Sequence, residues 1–120
     1  MFGYAGRILR VNLSSGKTLI EPLKEEMAKK YIGGIGLGIR LLIDNSKPNI
    51  DPLSPENPLI LTTGPLSGTI APTGGNGHTF VAKSPLTNGV GEAKSHGFFG
   101  AELKRAGYDA VIFEGRAEKP

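Results

Sequence analysis

The stretch from Gly64 to Gly115 reads GPLSGTIAPTGGNGHTFVAKSPLTNGVGEAKSHGFFGAELKRAGYDAVIFEG. Glycine, proline and small polar residues crowd its loops ahead of one amphipathic run. Glycine loses more conformational freedom on folding than any other residue, so ordered loops rich in glycine are costly. Such loops are typical of a backbone that approaches a ligand closely. We therefore expect this stretch to contact a ligand rich in phosphate or other hydrogen-bond acceptors.

The composition limits the classes of protein to consider. A chain of 120 residues forms one domain at most, and its 18 glycines are about double the usual share. The net charge of +3 comes without a basic cluster and with few aromatic residues, which argues against nucleic acid as a partner. No apolar run approaches the roughly 20 residues that span a bilayer, and the start lacks a signal-peptide core, so we expect a cytoplasmic protein without membrane contact. Cysteine is absent, so this chain cannot supply disulfides, a catalytic thiolate or iron–sulfur ligands.

Apolar patterning predicts five strands. The first two form a hairpin, because the residues between them, Ser14-Ser15-Gly16, are typical of a turn. The third is a short apolar run that indicates a buried strand. The predicted strands are Arg7–Leu13, Lys17–Leu23, Leu59–Thr63, Thr79–Ala82 and Ala110–Glu114.

Three short helices are predicted from apolar residues that recur at helical spacing. The first covers Leu23–Ile32 and the second Gly38–Asp44. The third is the clearest, because Phe99, Leu103 and Ala106 share one face of it. We expect Ser95 to cap the start of this third helix and Gly107 to end it.

The run Gly33 to Gly38 (GGIGLG) invites comparison with nucleotide-binding loops. No G-x-G-x-x-G follows a strand here, and no G-x-x-x-x-G-K-[ST] occurs in the chain. Close packing between two helices explains these glycines better. A small phosphate- or nucleotide-binding enzyme therefore ranks last among the functions considered.

The loop that leads into the fourth predicted strand is a candidate binding segment. Successive N–H groups in a glycine-rich turn form a concave site for anions. A wide hairpin loop, whose glycines only permit positive φ angles, explains the same residues equally well. The candidate residues are Gly74, Gly75, Asn76, Gly77 and His78.

A second candidate segment is expected to open the third helix. Helix N-termini present unpaired N–H groups and partial positive charge, so a phosphate could bind there beside Lys94. A serine cap next to a solvated lysine is the structural alternative, and it is more common for a helix taken at random. The candidate residues are Lys94, Ser95, His96 and Gly97.

The two histidines of the chain, His78 and His96, fall one in each candidate segment. Together with Glu92 they would suit a two-histidine, one-carboxylate metal site. No two of the three share a local ligand motif, so we expect no protein-ligated metal and instead hydrogen bonding to an acidic ligand or surface exposure. The chain also lacks the G-x-S-x-G turn of a serine hydrolase, and we expect no catalytic residue within it.

Four segments resemble the amino-terminal domain of the aldehyde ferredoxin oxidoreductase family, the tungsten enzymes that oxidise aldehydes to carboxylates. The segments with K-S-P-L-T and G-A-E-L-K-R-A-G-Y-D are the most specific, and all four follow the family's order. The resemblance runs from about Gly6 to Pro120. The segments are GRILRVNLSSG, DPLSPENPLILTTGPLSGTIAPTGG, AKSPLTNG and FFGAELKRAGYDAVIFEGRAEKP.

The resemblance implies an α+β fold over residues 1–120, a single domain of twisted, mostly antiparallel β-sheets with about three short helices, incomplete at its C-terminus. In this family the domain forms the base on which a bis-pterin cofactor lies. Tungsten, or molybdenum, is held by the dithiolenes of two pterins, whose phosphates are bridged by magnesium. Electrons leave through a [4Fe–4S] cluster to ferredoxin. The cluster's cysteines and the catalytic acid–base residues come from later domains, so the implied partner is the remainder of the subunit or a separately encoded protein.

By this resemblance, Gly74–His78 and Lys94–Gly97 form two walls of a cofactor site. The family's arginine after the first glycine pair is Asn76 here, and its Gly-Arg-Gly-Leu is Gly34-Ile35-Gly36-Leu37, with isoleucine in place of the arginine. Lysine and histidine near the site could restore positive charge, but arginine and lysine are not equivalent in bidentate recognition. The alternative is therefore a non-catalytic scaffold or assembly domain that kept the fold and lost the cofactor. Homo-oligomerisation stays open.

Overall fold

In the computed structural model, which describes residues 1–72 and 77–119, six strands form one sheet that carries three helices. The strand order across the sheet is β2-β1-β6-β3-β4-β5. In chain order the elements are β1 Arg7–Asn12, β2 Lys17–Pro22, α1 Glu25–Tyr31, α2 Gly34–Asn45, β3 Leu59–Thr63, β4 His78–Lys83, β5 Val90–Ser95, α3 Phe99–Arg105 and β6 Ala110–Glu114.

The last strand, β6, lies in the middle of the sheet. It pairs in parallel with β1 and antiparallel with β3, while the β1–β2, β3–β4 and β4–β5 pairs are all antiparallel. The prediction of a mostly antiparallel α+β domain with three short helices is confirmed. No helix in the two described ranges combines the length and apolarity needed to cross a membrane.

One face of the sheet packs against α2 and forms the main core. Ile60, Val81 and Ile112 point to this face from three neighbouring strands, and each is fully buried. Leu37 and Leu41 of α2 pack against them. Full burial of an aliphatic side chain stabilises a fold by about 1.5–3 kcal/mol, so this contact holds α2 on the sheet.

The opposite face of the sheet is also apolar, but it is less covered. Because side chains alternate along a strand, Leu61 and Val111 point away from α2, and both are buried. Their neighbours Phe80 and Phe113 are half-buried, whereas Leu59 is exposed. This face therefore retains apolar surface that the described part of the chain leaves uncovered.

The structure corrects the predicted start of the third helix. Ser95 is the last residue of β5, and α3 follows only after Phe98, which occupies the N-cap position without a side-chain hydrogen bond. The predicted cap at Ser95 was wrong, and β5 itself was missed. This edge strand reads VGEAKS and is almost wholly exposed, so it has no apolar alternation to reveal it.

The glycines of α2 bring the helix close to two different neighbours. A Cβ on Gly36 would lie 2.7 Å from the carbonyl oxygen of Tyr31 at the end of α1, as expected for two closely packed helices. A Cβ on Gly38 would instead lie 2.6 Å from Cγ2 of Val81. The helix–helix interpretation is therefore wrong for Gly38, which allows α2 to approach the sheet.

Candidate cofactor site

Described residues of both candidate segments lie side by side at one end of the sheet. Gly77 leads directly into β4, and His78, the first residue of that strand, pairs with Ser95 at the end of β5. The next pair along the two strands joins Thr79 to Lys94. The sequence did not predict this pairing of β4 with β5. The other predicted residues of the first segment, Gly74, Gly75 and Asn76, lie outside the described residues.

His96 lies against the backbone at Gly77. A Cβ at that glycine would lie 3.5 Å from Cε1 and 3.6 Å from Nδ1 of the His96 ring. These are ordinary van der Waals distances, so the ring sits directly over a position that carries no side chain. Gly97 follows with a φ of +113°, a conformation that favours glycine, and turns the chain from β5 towards α3.

His78 is a buried imidazole with one ring nitrogen that has no hydrogen-bond partner among the described residues. The residue is only 9% exposed, and its ring lies 5.9 Å from the ring of Phe80 and 5.1 Å from that of Phe99, measured between centroids. None of the described residues offers a hydrogen bond to its buried Nδ1. A buried polar atom without a partner costs about 1–3 kcal/mol, and such atoms are rare in native folds. As far as residues 1–72 and 77–119 are concerned, the nitrogen is therefore available to a bound group.

Lys94 presents a positive charge beside this site but on the other side of the strand. Its side chain is 57% exposed, and its Nζ lies 3.6 Å from Oε1 of Glu92. An exposed ion pair of this kind contributes little, so the ammonium group can turn to another anion. Because neighbouring strand residues point to opposite faces, Lys94 shares its face with Thr79, whereas His78 shares its face with Ser95.

The structure does not assemble the metal-ligand set of His78, His96 and Glu92. Glu92 pairs with Val81 in the sheet, so its side chain lies on the opposite face of the sheet from that of His78. Its carboxylate contacts Lys94 instead. Within residues 1–72 and 77–119, no three histidine, cysteine, aspartate or glutamate side chains are grouped so as to hold a metal ion.

Sequence reasoning missed Ser67, which connects two loops at this end of the sheet. Its Oγ accepts a hydrogen bond from the backbone N–H of Gly64 (3.2 Å) and donates one to the carbonyl of Gly77 (3.0 Å). The serine is 4% exposed. In the sequence it reads as an ordinary turn residue, and no signal points to a partner ten positions away.

Asp109, the residue immediately before β6, supports the same end of the sheet. Its carboxylate accepts hydrogen bonds from the backbone N–H groups of Ala5 (3.0 Å) and Gly6 (2.7 Å). It also forms a buried ion pair with Lys104. Burial, and then the negative charge of Asp109, raise the pKa of Tyr4. This cluster ties the N-terminal segment to the sheet, and the hydrogen bonds of its carboxylate are made within the protein.

Arg10 organises a second polar cluster towards the opposite end of the strands. Its guanidinium donates to Glu21 (2.6 Å), Glu114 (3.0 Å) and Asn45 (2.8 Å). The hydrogen bond from Arg10 holds the pKa of the Glu21 carboxyl below its usual value. This cluster joins β2, β1, β6 and α2, and we assign it to the stability of the fold.

Comparison with known proteins shows which protein family this chain belongs to. The family described as aldehyde ferredoxin oxidoreductase, N-terminal domain, matches residues 8–120. The chain therefore belongs to this oxidoreductase family, and the resemblance stated from the sequence motifs is confirmed.

Two proteins of Pyrococcus furiosus are similar to this chain over its whole length. Over all of its 120 residues the chain is 57% identical to the tungsten-containing aldehyde ferredoxin oxidoreductase of Pyrococcus furiosus, of which it covers 20%. It is 39% identical to the aliphatic sulfonate oxidoreductase, WOR-like subunit, of the same organism, with all of this chain and 19% of that protein covered. The chain thus spans about one fifth of the length of these curated relatives.

A solved structure shows the same fold. The active site complex BamBC of benzoyl coenzyme A reductase, in complex with 1,5-dienoyl-CoA, superposes with a TM-score of 0.92 at 36% sequence identity. The match covers 98% of this chain and 18% of that one. The α+β architecture is therefore the architecture of a known oxidoreductase domain.

Proposed function

We propose that this chain is the pterin-binding domain of a tungsten- or molybdenum-dependent oxidoreductase that oxidises aldehydes to carboxylates and passes electrons to ferredoxin. The observation that carries the proposal is the register pair of His78 with Ser95, which brings the two candidate segments together beside an unpartnered imidazole nitrogen. A metal–bis-pterin group supplies the redox chemistry when bound, and the protein around it supplies position and electrostatics.

The residues at this end of the sheet fit a pterin. A pterin is a flat heterocycle with hydrogen-bonding edges, and its phosphate carries negative charge. Nδ1 of His78 has no partner among the described residues. The Ser95 hydroxyl has only a long contact of 3.4 Å to the carbonyl of His96, so it can turn to a ligand. Phe99 is exposed over about half of its surface beside the imidazole.

Each residue of the proposed site has a distinct role in binding. His78 and Ser95 would hydrogen-bond the heterocycle, and Gly77 admits His96 and a ligand close to the backbone. Lys94, at the exposed rim, would attract the phosphate. Gly74, Gly75 and Asn76 complete the proposed wall, and none of the site residues makes or breaks bonds.

The rest of the machinery is assigned to other parts of the enzyme. Magnesium would accompany the pterin, and the [4Fe–4S] cluster and the catalytic acid–base residues would lie in domains outside this chain. The partner is the remainder of the subunit or a separately encoded protein. The apolar surface at Leu59 and Phe113, which the described part of the chain leaves uncovered, supports such a partner, since exposed apolar patches mark interaction sites. A cytoplasmic location and a homo-oligomer belong to the same proposal.

The test uses the whole oxidoreductase subunit that contains this domain, purified with its native partners. Elemental analysis and pterin fluorescence should find tungsten or molybdenum together with pterin in stoichiometric amounts. The variant His78→Leu should lose cofactor several-fold, whereas Glu92→Gln, on the opposite face of the neighbouring strand, should retain it. Wild-type protein free of metal and pterin would contradict the proposal, and so would full retention in His78→Leu.

The second candidate is a non-catalytic scaffold domain of the same fold. It is favoured by Ile35, a partly exposed apolar side chain at a position where the family resemblance implies an arginine. The same analysis separates the two candidates, because a scaffold would purify without pterin even with its partners present. In either case the isolated domain should show no aldehyde oxidation with added ferredoxin, and activity would overturn the division of labour between domains.

A further inference from the structure

We infer that Ser67 is a positioning residue that fixes the start of β4, and with it His78, for binding of the ligand. The inference rests on the proposed function for the identity of that ligand. The Oγ of Ser67 bridges the N–H of Gly64 and the carbonyl of Gly77. Ser67 does not need to touch the ligand to act in this way.

The effect on His78 follows from the planarity of the peptide bond. The carbonyl of Gly77 and the N–H of His78 belong to one peptide group, whose atoms lie in one plane. The 3.0 Å hydrogen bond from Ser67 to that carbonyl therefore sets the orientation in which the His78 backbone begins. The imidazole then reaches its place in contact with Phe80 and Phe99.

The loop that carries Ser67 is itself held firmly on several sides. A Cβ on Gly33 would lie 2.8 Å from the Cα of Gly64, and one on Gly3 would lie 2.8 Å from the carbonyl oxygen of Pro65. A Cβ on Gly68 would lie 3.4 Å from the Cα of Ala101 in α3. Because α2, α3 and the N-terminal segment all enclose this loop, it acts as a fixed support from which Ser67 holds Gly77.

A neighbouring hydroxyl in the same loop provides a matched control. Thr69 is exposed, and its hydroxyl donates to the carbonyl of Leu66 (2.8 Å) and accepts from the N–H of Ala71 (3.2 Å). These bonds stay within the loop and do not reach Gly77. Thr69→Ala therefore removes a loop hydroxyl without the proposed link.

A conservative substitution tests for the hydroxyl itself. An open surface pocket of about 250 Å³ borders Ser67, Gly3, Pro65 and Lys104, and we expect it to accept the additional methyl group of threonine. Ser67→Thr should therefore keep the bridge, whereas Ser67→Ala leaves the N–H of Gly64 and the carbonyl of Gly77 without this partner.

The experiment measures hydrogen exchange in the whole subunit with its native partners, at a temperature where every variant is folded. Ser67→Ala should speed amide exchange about tenfold in a peptide covering residues 77–83, as the loss of roughly one buried hydrogen bond implies. Thr69→Ala and Ser67→Thr should match the wild type. The inference is overturned if Ser67→Ala exchanges no faster than Thr69→Ala, or if exchange rises equally throughout the sheet, as for a general loss of stability.

Cofactor retention, measured on the same samples, keeps this inference separate from the proposed function. Pterin and metal content should fall several-fold in Ser67→Ala and recover in Ser67→Thr. Unchanged retention in Ser67→Ala, in protein whose wild type holds cofactor, would overturn the positioning role. If the wild type holds none while Ser67→Ala still speeds exchange selectively, the proposed function fails and the positioning of His78 stands.

Discussion

Asp109 and His78 are two buried polar side chains near the same end of the sheet. The carboxylate of Asp109 has its hydrogen bonds satisfied, whereas Nδ1 of His78 has no partner among the described residues. The two lie on either side of Thr63, which bonds to the carbonyl of Asp109 and pairs with His78 across the strands. The Asp109 carboxylate is satisfied by two backbone N–H groups and by Lys104. Nδ1 of His78 has no partner in the described part of the protein.

The difference distinguishes a buried polar group that stabilises the fold from one that serves function. A buried group whose hydrogen bonds are complete helps to specify the fold, and its removal should cost stability. A buried group whose bond is missing costs stability while it stays, which a protein tolerates mostly at functional sites. Substitutions at the two positions should therefore have different effects on unfolding and on cofactor binding.

The largest effect is expected from Asp109→Ala. It leaves the ammonium group of Lys104, whose side chain is only 10% exposed, without its counter-charge, and two backbone N–H groups without an acceptor. We expect the free energy of unfolding to fall by about 3–5 kcal/mol in urea titrations. The exposed pair partner Asp44, changed to alanine, should cost no more than about 1 kcal/mol. Similar small losses for both would mean that Asp109 is not the structural group described.

Arg10→Met tests a second polar cluster whose hydrogen bonds are satisfied. Its effect on the free energy of unfolding should depend on pH. Loss of its charged hydrogen bonds to Glu21 and Glu114 should cost about 2 kcal/mol at neutral pH. The pKa of Glu21 is lowered from 4.5 in the folded protein, so its stabilisation is fully present above pH 4.5 and lost as the pH falls through the folded pKa. The gap between wild type and variant should shrink below pH 4.5 in urea titrations. A gap that stays constant down to pH 3 would contradict this account.

Thr63→Val tests the residue that lies between Asp109 and His78. Its hydroxyl donates to the carbonyl of Asp109 at 3.0 Å, and the backbone N–H of Thr63 bonds to the same oxygen. Because valine has nearly the same shape and one hydrogen bond to this carbonyl survives, we expect a loss of about 1 kcal/mol. Cofactor content should not change. A loss of cofactor equal to that in His78→Leu would show that the two sides of Thr63 are not separable.

The smallest effect on stability is expected from His78→Leu. The substitution removes a buried Nδ1 that has no hydrogen-bond partner among the described residues, so the free energy of unfolding without cofactor should not fall by more than about 1 kcal/mol. Thermal and urea unfolding of cofactor-free protein provide the measurement. A loss as large as that of Asp109→Ala would show that the imidazole is needed by the fold rather than by a ligand.

Much of this fold was predictable because its central strands are apolar. The predicted spans of β3 and β6 are those observed, since LILTT and AVIFE are short apolar runs buried in the middle of the sheet. The edge strand β5 was missed because an exposed VGEAKS has no buried face to leave a pattern. Ser95 was misplaced for the same reason, because a serine before a helical run reads as a cap when the strand is not recognised.

The site was only partly predictable, because long-range contacts complete it. His78 was singled out through its glycine-rich loop and Ser95 through the helix expected to follow it, but only strand pairing places them together. Ser67 was missed because its partner Gly77 is set by tertiary structure. The ion pair of Lys104 with Asp109 was missed because burial of a charged pair leaves no sequence pattern.

We propose that the pterin cofactor is the hydrogen-bond partner that Nδ1 of His78 lacks among the described residues. An experimental structure of the whole subunit, loaded with cofactor, would measure the distance from Nδ1 of His78 to the nearest cofactor atom. We expect a hydrogen bond of about 2.7–3.2 Å. A cofactor bound elsewhere, or an Nδ1 that bonds to a group of the protein instead, would contradict the claim.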